Sequence, residues 1–289
     1  MVVSQAQRGR HVKDARFTGT VVLVTGASAG VGEAAAMAFA AEGASVVLAA
    51  RGVSELERVA RAIRAAGGTA EVVPCDVADI EAARRLMAHV IERFGALDVL
   101  VNNAGANRRG EIARYEPEEL AQVVQVNLIA PIVLTRLALP HLERARGGGA
   151  IVNVASLAGR VPLVHEAVYS ATKFGLRAFT YAFAEEVRGA KVKVSVVSPG
   201  PIATGFILDD PDQVPDLVFS QPMSTAEEIA ALVLDCAHDG VIERTRPRLG
   251  AKLATLGYLL PPLRRAMQPL LEARGLAAKK KYRRDAKRS

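Results

Sequence analysis

The sequence has no tryptophan, only two cysteines and an aromatic content of 4% across its 289 residues. Cys75 and Cys236 are too few to build a disulfide framework, and neither they nor the five histidines have metal-ligand spacing. The polar N-terminus lacks a secretory signal pattern, and the apolar runs are shorter than the roughly 20 residues that span a bilayer. These absences predict a cytoplasmic, reduced protein without a bound metal.

The chain is instead rich in apolar residues. Half of its residues are hydrophobic, which is enough for the core of one large domain. Its net charge of +7 comes almost entirely from residues 279–289, which hold seven basic residues and one acid. Because the charge belongs to this tail, we expect no nucleic-acid groove in the body. The tail is predicted to be disordered, with contact to an anionic membrane or to nucleic acid as the alternatives.

Strand-like and helical segments alternate from residue 20 to about residue 200. This pattern predicts an α/β fold with a three-layer, doubly wound parallel sheet in a single domain. Between the first strand and the first helix, Gly26, Gly30 and Gly32 have the spacing Gly-x-x-x-Gly-x-Gly. Glycines at such a turn let backbone N–H groups approach a pyrophosphate at the helix N-terminus. The turn therefore favours a nucleotide site over a mere change of direction.

The ends of the second and third predicted strands carry further candidate ligands. The second strand ends at Arg51, where an acid would accept hydrogen bonds from a ribose 2′-hydroxyl but an arginine accommodates a 2′-phosphate. We therefore predict NADP(H), with NAD(H) as the alternative if Arg51 is simply a solvated side chain. Asp76 follows the third strand at the same edge, where it can flank the ligand, cap the next helix or do both.

A serine, a tyrosine and a lysine form the candidate chemical centre. Tyr169 and Lys173 lie four residues apart on a predicted helix and so share one face. A nearby cation lowers the pKa of a phenol, and Ser156, after the fifth strand, can donate a hydrogen bond to a substrate oxygen. Asn127 lies within a long apolar helix predicted from residue 116 to about residue 145. It either tethers that helix to a loop or takes part in catalysis.

Taken in order, these motifs resemble the short-chain dehydrogenase/reductase family over about residues 20–240. The motifs that carry the resemblance are TGASAGVG at residues 25–32, NNAG at residues 102–105, Ser156, YSATK at residues 169–173 and PGPIAT at residues 199–204. The resemblance implies a Rossmann-type sheet and a nicotinamide cofactor. It places the cofactor among Gly26, Ser28, Gly30, Val31, Gly32, Arg51, Asp76, Val77, Asn103, Ala104, Gly105, Tyr169, Lys173, Pro199, Gly200, Ile202 and Thr204.

The resemblance also implies a role for each residue of the chemical centre. Tyr169 would act as the acid or base, and Lys173 would lower its pKa and hold the ribose. Ser156 would bind the reacting oxygen, and Asn127 would position a water. The implied enzyme is an NADP(H)-dependent oxidoreductase that interconverts a carbonyl and a secondary alcohol, chiefly by reduction. An NAD-dependent alcohol dehydrogenase and a non-catalytic nucleotide-sensing or scaffold protein are the alternatives.

The expected division of the chain is a flexible basic arm (1–19), a catalytic domain (20–250), an extra amphipathic helical segment (251–278) and a basic disordered tail (279–289). A lid is expected at about residues 202–223, and its apolar composition favours a lipophilic substrate. The extra segment and a last strand near Thr245–Leu249 depart from the family pattern. The segment is expected either to pack on the protein itself or a neighbouring subunit, or to dock on a membrane surface. By resemblance, the long helices would join subunits in a homodimer or homotetramer.

Overall fold

Short strands rich in Val, Leu, Ile and Ala form one parallel sheet, as expected for strands that are buried on both faces. The computed structural model describes residues 15–286, and their side chains as far as residue 281. The strands are β1 (Val21–Thr25), β2 (Ser45–Ala50), β3 (Thr69–Pro74), β4 (Val99–Asn102), β5 (Gly149–Val154), β6 (Val192–Pro199) and β7 (Glu243–Arg246). Their order is β3-β2-β1-β4-β5-β6-β7, which reverses between β1 and β4. The prediction of a doubly wound sheet in a single domain is therefore confirmed.

Helices cover both faces of the sheet. They are α1 (Gly30–Ala41), α2 (Val53–Ala65), α3 (Ile80–Phe94), α4 (Pro117–Val124), α5 (Ala130–Leu142), α6 (Ala167–Glu186), α7 (Gly205–Leu208), α8 (Ala226–Asp239), α9 (Arg248–Leu259) and α10 (Pro261–Ala286). Because successive strand residues point to opposite faces, Val22 and Val24 pack beneath α1 and α8, whereas Leu23 packs beneath α3 and α5. Packing in these two cores keeps the carboxyl ends of the strands at one edge of the sheet.

The predicted long helix over residues 116–145 is present as α4 and α5, joined by a π-helical turn at Gln125–Ile129. By length and composition, residues 117–142 are apolar enough to cross a membrane. In this fold the helix packs against α3, α6 and the sheet, and core helices pass the same test. The π turn contains the buried Asn127, and such turns are frequent at functional sites.

The last strand differs from its prediction. It covers Glu243–Arg246 rather than Thr245–Leu249, and Leu249 belongs to α9. Glu243 is buried and accepts hydrogen bonds from Ser198 Oγ (2.7 Å) and Arg177 Nη2 (2.9 Å). These tertiary bonds satisfy a carboxylate that the sequence alone places poorly in a strand.

At both ends of the chain, the structure differs in part from the prediction. Residues 1–14 lie outside the described residues, but Phe17 is only 4% exposed and its ring lies 4.8 Å from that of Phe39, edge to face. The flexible arm predicted for residues 1–19 therefore does not include Phe17. At the other end, α10 continues through Ala286, so the disordered tail predicted for residues 279–289 is wrong over residues 279–286. Residues 287–289 lie outside the described part of the chain.

The lid segment (residues 202–223) contains α7 and a 3₁₀ turn at Asp216–Ser220, and α10 packs on this turn. Gly275 lies so close to the carbonyl of Asp216 that a Cβ there would collide with it. Lys279 is buried and donates from Nζ to the carbonyl of Val214 (2.8 Å) and to Asp216 Oδ1 (3.0 Å). The extra C-terminal segment thus packs on the protein's own body.

Candidate active site

A cavity of about 1040 Å³ opens at the carboxyl edge of the sheet, where doubly wound folds bind their ligands. Most of the predicted site residues line it: Gly26, Ser28, Gly30, Val31, Arg51, Asp76, Val77, Asn103, Ala104, Gly105, Ser156, Tyr169, Lys173, Pro199, Gly200, Ile202 and Thr204. Gly32 and Asn127 do not line it. The fold therefore brings the predicted chemical centre and the predicted nucleotide site into one space.

The glycine-rich turn depends on the absence of side chains. Gly26 and Gly30 have φ values of +63° and +57°, in the left-handed region that favours glycine. A Cβ on Gly26 would lie 2.9 Å from the Cα of Ala104. Gly32 has no room for a Cβ because the Gly26 carbonyl and the Asn103 amide occupy that space. Gly26 and Gly32 therefore allow the turn to pack closely, and Gly30 places no side chain at the edge of the cavity.

Asparagine amides hold the sheet edge together. Asn103 Nδ2 donates to the carbonyls of Thr25 (3.0 Å) and Gly26 (3.2 Å). Asn102 Nδ2 donates to Asn153 Oδ1 at 2.9 Å. These bonds join β4 to its neighbours β1 and β5, so the turns on which a nucleotide would lie are fixed relative to each other.

Arg51 differs from its neighbouring arginine in the charges around it. Its side chain is exposed, lines the cavity and makes no ion pair with any residue between 15 and 281. Arg58, one turn into α2, is instead bound to Glu33, with 2.6 Å between Nη1 and Oε1. Arg51 is therefore the arginine of this pair that is available to an anionic ligand.

Asp76 is not the cap of α3. That cap is Asp79, whose side chain accepts a hydrogen bond from the backbone of Glu81 at 2.9 Å. Asp76 Oδ1 accepts from the backbone N–H of Ala78 (3.0 Å) while the residue borders the cavity. Of the two roles open from the sequence, the helix-capping one is wrong.

Ser156, Tyr169 and Lys173 come together from β5 and α6. Ser156 lies two residues after the end of β5 and begins a 3₁₀ turn, where its Oγ accepts a hydrogen bond from Ala158 N at 3.1 Å. Tyr169 and Lys173 lie one helical turn apart, with Lys173 Nζ 5.6 Å from the centre of the tyrosine ring. Lys173 Nζ donates to the carbonyl of Val154 at 2.9 Å. The lysine is thus anchored to the last residue of β5, close to the serine.

The electrostatics of this centre differ from the prediction. Burial raises the pKa of Tyr169, the nearby Glu166 carboxylate raises it further, and the Ser156 hydroxyl offsets part of the rise. The predicted lowering by Lys173 is not found in the free protein. Burial also lowers the pKa of Lys173 to about 8, because an enclosed ammonium is poorly solvated. At neutral pH the tyrosine is a phenol and the lysine an ammonium.

Asn127 lies behind this centre. Its Oδ1 accepts from Ala106 N (2.8 Å), and its Nδ2 donates to Ala106 O (2.8 Å) and Thr172 Oγ1 (3.1 Å). Helix-to-loop tethering, one of the two alternatives from the sequence, is therefore present. The side chain also approaches the centre, since a Cβ on Gly105 would lie 3.6 Å from Asn127 Oδ1 and 3.9 Å from Lys173 Nζ.

Sequence reasoning missed an ion pair beside Tyr169. Glu166 is 4% exposed, and its Oε1 lies 3.1 Å from Arg109 Nε. The Arg109 guanidinium stacks over Phe206 of the lid segment, 4.8 Å from the ring centre, and that ring lies 6.0 Å from the ring of Tyr169. Glu166 precedes Tyr169 by three residues, a spacing that could have indicated contact. Arg109 lies on a loop that carries no comparable signal.

It also missed the contribution of the C-terminal helices to the cavity. Six large apolar side chains border it there: Leu249, Leu253 and Leu256 of α9, and Leu263, Met267 and Leu271 of α10. We call this set the apolar wall. The helical periodicity of the segment was visible, but which surface it faces depends on tertiary packing. Among residues 15–281, no group of three or more His, Cys, Asp or Glu side chains is placed to hold a metal ion.

Comparison with known proteins agrees with this geometry. The family model described as short chain dehydrogenase matches residues 20–213. The ketoacyl reductase HetN of Nostoc sp. is 40% identical over 219 residues, which cover 75% of this chain and 76% of that protein. The 3-oxoacyl-[acyl-carrier-protein] reductase FabG of Thermotoga maritima is 31% identical over 228 residues, or 78% and 92% of the two chains. The chain therefore belongs to the short-chain dehydrogenase/reductase family.

Solved structures extend the likeness to the fold. A metagenomic short-chain oxidoreductase, crystallised in complex with NADP, matches with a TM-score of 0.69 and 35% sequence identity. The match covers 80% of this chain and 97% of that one. The family-model match ends at residue 213, so α9 and α10 lie beyond it.

Proposed function

We propose that this protein is an NADPH-dependent reductase that converts a lipophilic carbonyl compound into a secondary alcohol. The observation that carries the proposal is the presence of Ser156, Tyr169 and Lys173 in the same cavity as the glycine-rich turn and Arg51. Carbonyl reduction needs a hydride carrier and, beside it, a proton donor. The sheet edge and the chemical centre supply places for both.

The sheet edge fits a nicotinamide dinucleotide, because Gly26 and Gly30 place no side chains on the turn that leads into the N-terminus of α1. We propose Ser28 and Arg51 at a 2′-phosphate, Asp76 and Val77 at the adenine, and Asn103, Ala104, Gly105, Pro199, Gly200, Ile202 and Thr204 toward the nicotinamide. When bound, the cofactor supplies the hydride. The unpaired Arg51 and the NADP in the metagenomic structure support the phosphorylated form.

The protonation state of Tyr169 is the one that carbonyl reduction requires. Its surroundings raise its pKa, so the hydroxyl keeps its proton at neutral pH. It can therefore donate that proton to a carbonyl oxygen. The relatives from Nostoc and Thermotoga both carry names of reductases that act on oxoacyl compounds.

The other residues hold and orient the reacting groups. Ser156 donates a hydrogen bond to the substrate oxygen, beside the Tyr169 hydroxyl. Lys173 remains fixed to the Val154 carbonyl and turns its other protons toward the ribose. Asn127 is a positioning residue, because its amide is committed to the loop at Ala106 and to Thr172, next to the lysine.

The lid segment supports a lipophilic substrate. Its cavity-lining residues include Phe206, Leu217 and Val218, which face the space beyond Tyr169. Pockets with predominantly apolar lining bind ligands that are themselves largely apolar, with few polar groups to orient them. The single reactive carbonyl would be oriented by Ser156 and Tyr169.

Consumption of NADPH with a panel of carbonyl compounds tests this function. Tyr169→Phe should lower kcat by about 10²–10⁴-fold, because it removes the proton donor and keeps the ring. NADPH binding by the variant, measured by titration, should be unchanged. A wild-type protein that binds NADPH but reduces no member of the panel would favour the nucleotide-sensing or scaffold alternative.

The same titrations decide between the two cofactors. A hydrogen bond to a charged group contributes about 1.5–3 kcal/mol, so Arg51→Ala should weaken NADPH binding on the order of tenfold to a hundredfold. NADH binding should not change. Arg61→Ala is the matched control, because Arg61 is exposed on α2 and does not border the cavity. A preference for NADH, or an equal loss for both cofactors, would favour the NAD-dependent dehydrogenase.

We infer a homodimer or homotetramer assembled through α5 and α6, on the basis of family likeness. The supporting feature is that Ala171, Ala178 and Ala182 are exposed on α6, because small apolar side chains allow close packing of helices. A monomer in sedimentation equilibrium would contradict this inference.

We also infer a cytoplasmic enzyme that associates peripherally with membranes through α9 and α10. Cys75 and Cys236 are free and buried, and burial raises the pKa of both thiols to about 11, so they stay protonated. Reduced thiols of this kind suit a reducing compartment. The membrane contact rests on exposed apolar side chains of α9 and α10.

A further inference from the structure

We propose that the apolar wall binds a long unbranched hydrocarbon chain of the substrate, and that α9 and α10 thereby select for chain length. The inference rests on the proposed carbonyl reduction, whose reacting oxygen lies at Ser156 and Tyr169. It assigns a ligand class to a segment beyond the family-model match, which ends at residue 213.

Each helix turns one face toward the cavity. On α9 the cavity-lining residues Leu249, Leu253 and Leu256 recur at helical spacing, and on α10 Leu263 and Met267 do the same. A spacing of seven or eight residues along a helix corresponds to about 10–12 Å. The apolar wall is therefore an extended strip rather than a compact patch.

The wall is uncovered in the free protein. Leu253 is 53% exposed, Leu256 43%, Leu263 41% and Met267 38%, and all four border the cavity. Apolar surface that remains in contact with water within a cavity is stabilised when an apolar ligand displaces the water. The facing side chains of the lid segment, Phe206 and Val218, extend this apolar lining to the chemical centre.

The wall is also fixed to the catalytic elements. Arg160, just after the 3₁₀ turn of Ser156, donates from Nη1 to Thr255 Oγ1 of α9 at 3.1 Å. Phe174, the residue after Lys173, has its ring 5.3 Å from that of Tyr258 on α9. Together with the Lys279 contacts of α10 to the lid segment, these bonds hold the strip at a set position relative to Tyr169.

The shape and lining of the strip favour a flexible chain over a compact ring system. An unbranched chain can lie along two helices and touch each apolar side chain in turn. Burial of each methylene group then adds a similar increment of binding free energy, equivalent to about fourfold in affinity. Affinity should therefore rise steadily with chain length until the strip is filled.

Two series of probes test this. We would measure the dissociation constants of unbranched primary alcohols from butanol to dodecanol by calorimetry, and kcat/KM for the matching methyl ketones with NADPH. In the wild type, affinity and kcat/KM should rise by up to about fourfold per methylene. Leu256→Glu and Met267→Glu should flatten both series and leave the shortest members unchanged. Leu256→Ala and Met267→Ala serve if a carboxylate prevents folding, and they should reduce the slope.

Leu270→Glu and Leu259→Glu are the matched controls, because these leucines are 72% and 67% exposed on the same helices and do not border the cavity. Both controls should keep the wild-type slope. Ketone reduction with no dependence on chain length would overturn the inference and leave the proposed function intact. If alcohol binding depends on chain length but no ketone is reduced, the proposed function is refuted and the inference about the apolar wall stands. If the glutamate variants of the wall change the oligomeric state and keep the wild-type dependence on chain length, the wall is a subunit contact.

Discussion

The Tyr169 hydroxyl lies among groups that act on its proton in opposite directions. Burial and Glu166 raise its pKa, while Ser156 and the Arg109 guanidinium lower it. Because Arg109 is itself bound to Glu166, with 3.1 Å between Nε and Oε1, most of the effect of each charge on the tyrosine is offset by the other. Burial is the largest contribution, so the free protein holds a proton donor at neutral pH.

Lys173 gives the site an alkaline limit. Burial lowers its pKa from 10.5 to about 8, so the ammonium is lost above about pH 8. If the ammonium is needed, kcat/KM should fall about tenfold per pH unit above that value, while Tyr169 is still protonated. A profile that stays flat well above pH 8 would contradict this role.

Unfolding measurements serve as the control for that profile. The folded protein binds fewer protons than the unfolded chain between about pH 8 and 10.5, so this lysine makes the free energy of unfolding rise with pH in that window. Its burial cost is complete below about pH 8 and is relieved above it. A loss of activity above about pH 8 without a loss of stability would therefore show that the Lys173 ammonium itself is required.

Residue identities at the chemical centre could be predicted because spacing on one helix fixes which side chains share a face. The protonation state of Tyr169 could not, because it depends on Glu166 and Arg109 and on how deeply the fold encloses the ring. Lys173 is not among the groups that shift this pKa in the free protein, and its expected role stays a prediction. Its ammonium is directed at the Val154 carbonyl, a contact that no sequence pattern indicates.

At the scale of elements, the parallel strands were predictable because their apolar runs are bounded by glycines and alternate with amphipathic helices. Strand β7 was misplaced because its stretch, ERTR, is polar and Glu243 is satisfied by tertiary partners, including Ser198 of β6, Arg177 of α6 and Arg160. The end of α10 was misjudged because a run of lysines resembles a solvated tail, whereas Lys279 is buried against the lid segment.

Lys279 should therefore hold α10 to the lid segment. Lys279→Met keeps an unbranched apolar side chain and removes Nζ, which lies 5.5 Å from the centre of the Phe219 ring and bonds to Val214 and Asp216. A bond to a charged group is worth about 1.5–3 kcal/mol, so hydrogen exchange in residues 214–220 and along α10 should accelerate about tenfold or more. Lys280→Met is the control, because the adjacent Lys280 is exposed. Equal exchange in the two variants would show that apolar packing alone holds the helix.

In the whole molecule, the cavity has two parts of different predictability. The part at the sheet edge follows from motifs that the fold must place at the carboxyl ends of its strands, and the structure brings nearly all of them together. The part formed by α9 and α10 depends on how two helices from the far end of the chain return to the lid segment. Periodicity predicted the helices but left open whether they pack on the protein or on a membrane.

Packing accounts for only one side of these helices. The apolar wall faces the cavity, but Tyr258, Leu259, Leu260 and Leu270 are 48–72% exposed and do not border it. Basic side chains accompany them on the same helices at Lys252, Arg265, Lys280 and Lys281, all exposed. An exposed apolar surface flanked by cations is typical of a helix that lies on an anionic membrane.

The protein should therefore sediment with anionic vesicles more than with neutral ones, and less so as salt is added, because each lysine or arginine near the surface contributes about 1 kcal/mol that salt screens. Replacing Leu259 and Leu270 together by glutamate should abolish this binding without affecting NADPH binding, since neither residue borders the cavity. Val241→Glu is the control, because Val241 is 44% exposed between α8 and β7. Equal sedimentation with both kinds of vesicle, or an unaffected double variant, would contradict membrane binding. The outer surface of α9 and α10 would then be assigned to contact with a second subunit. The apolar wall would still face the cavity, since its position depends on contacts within the chain.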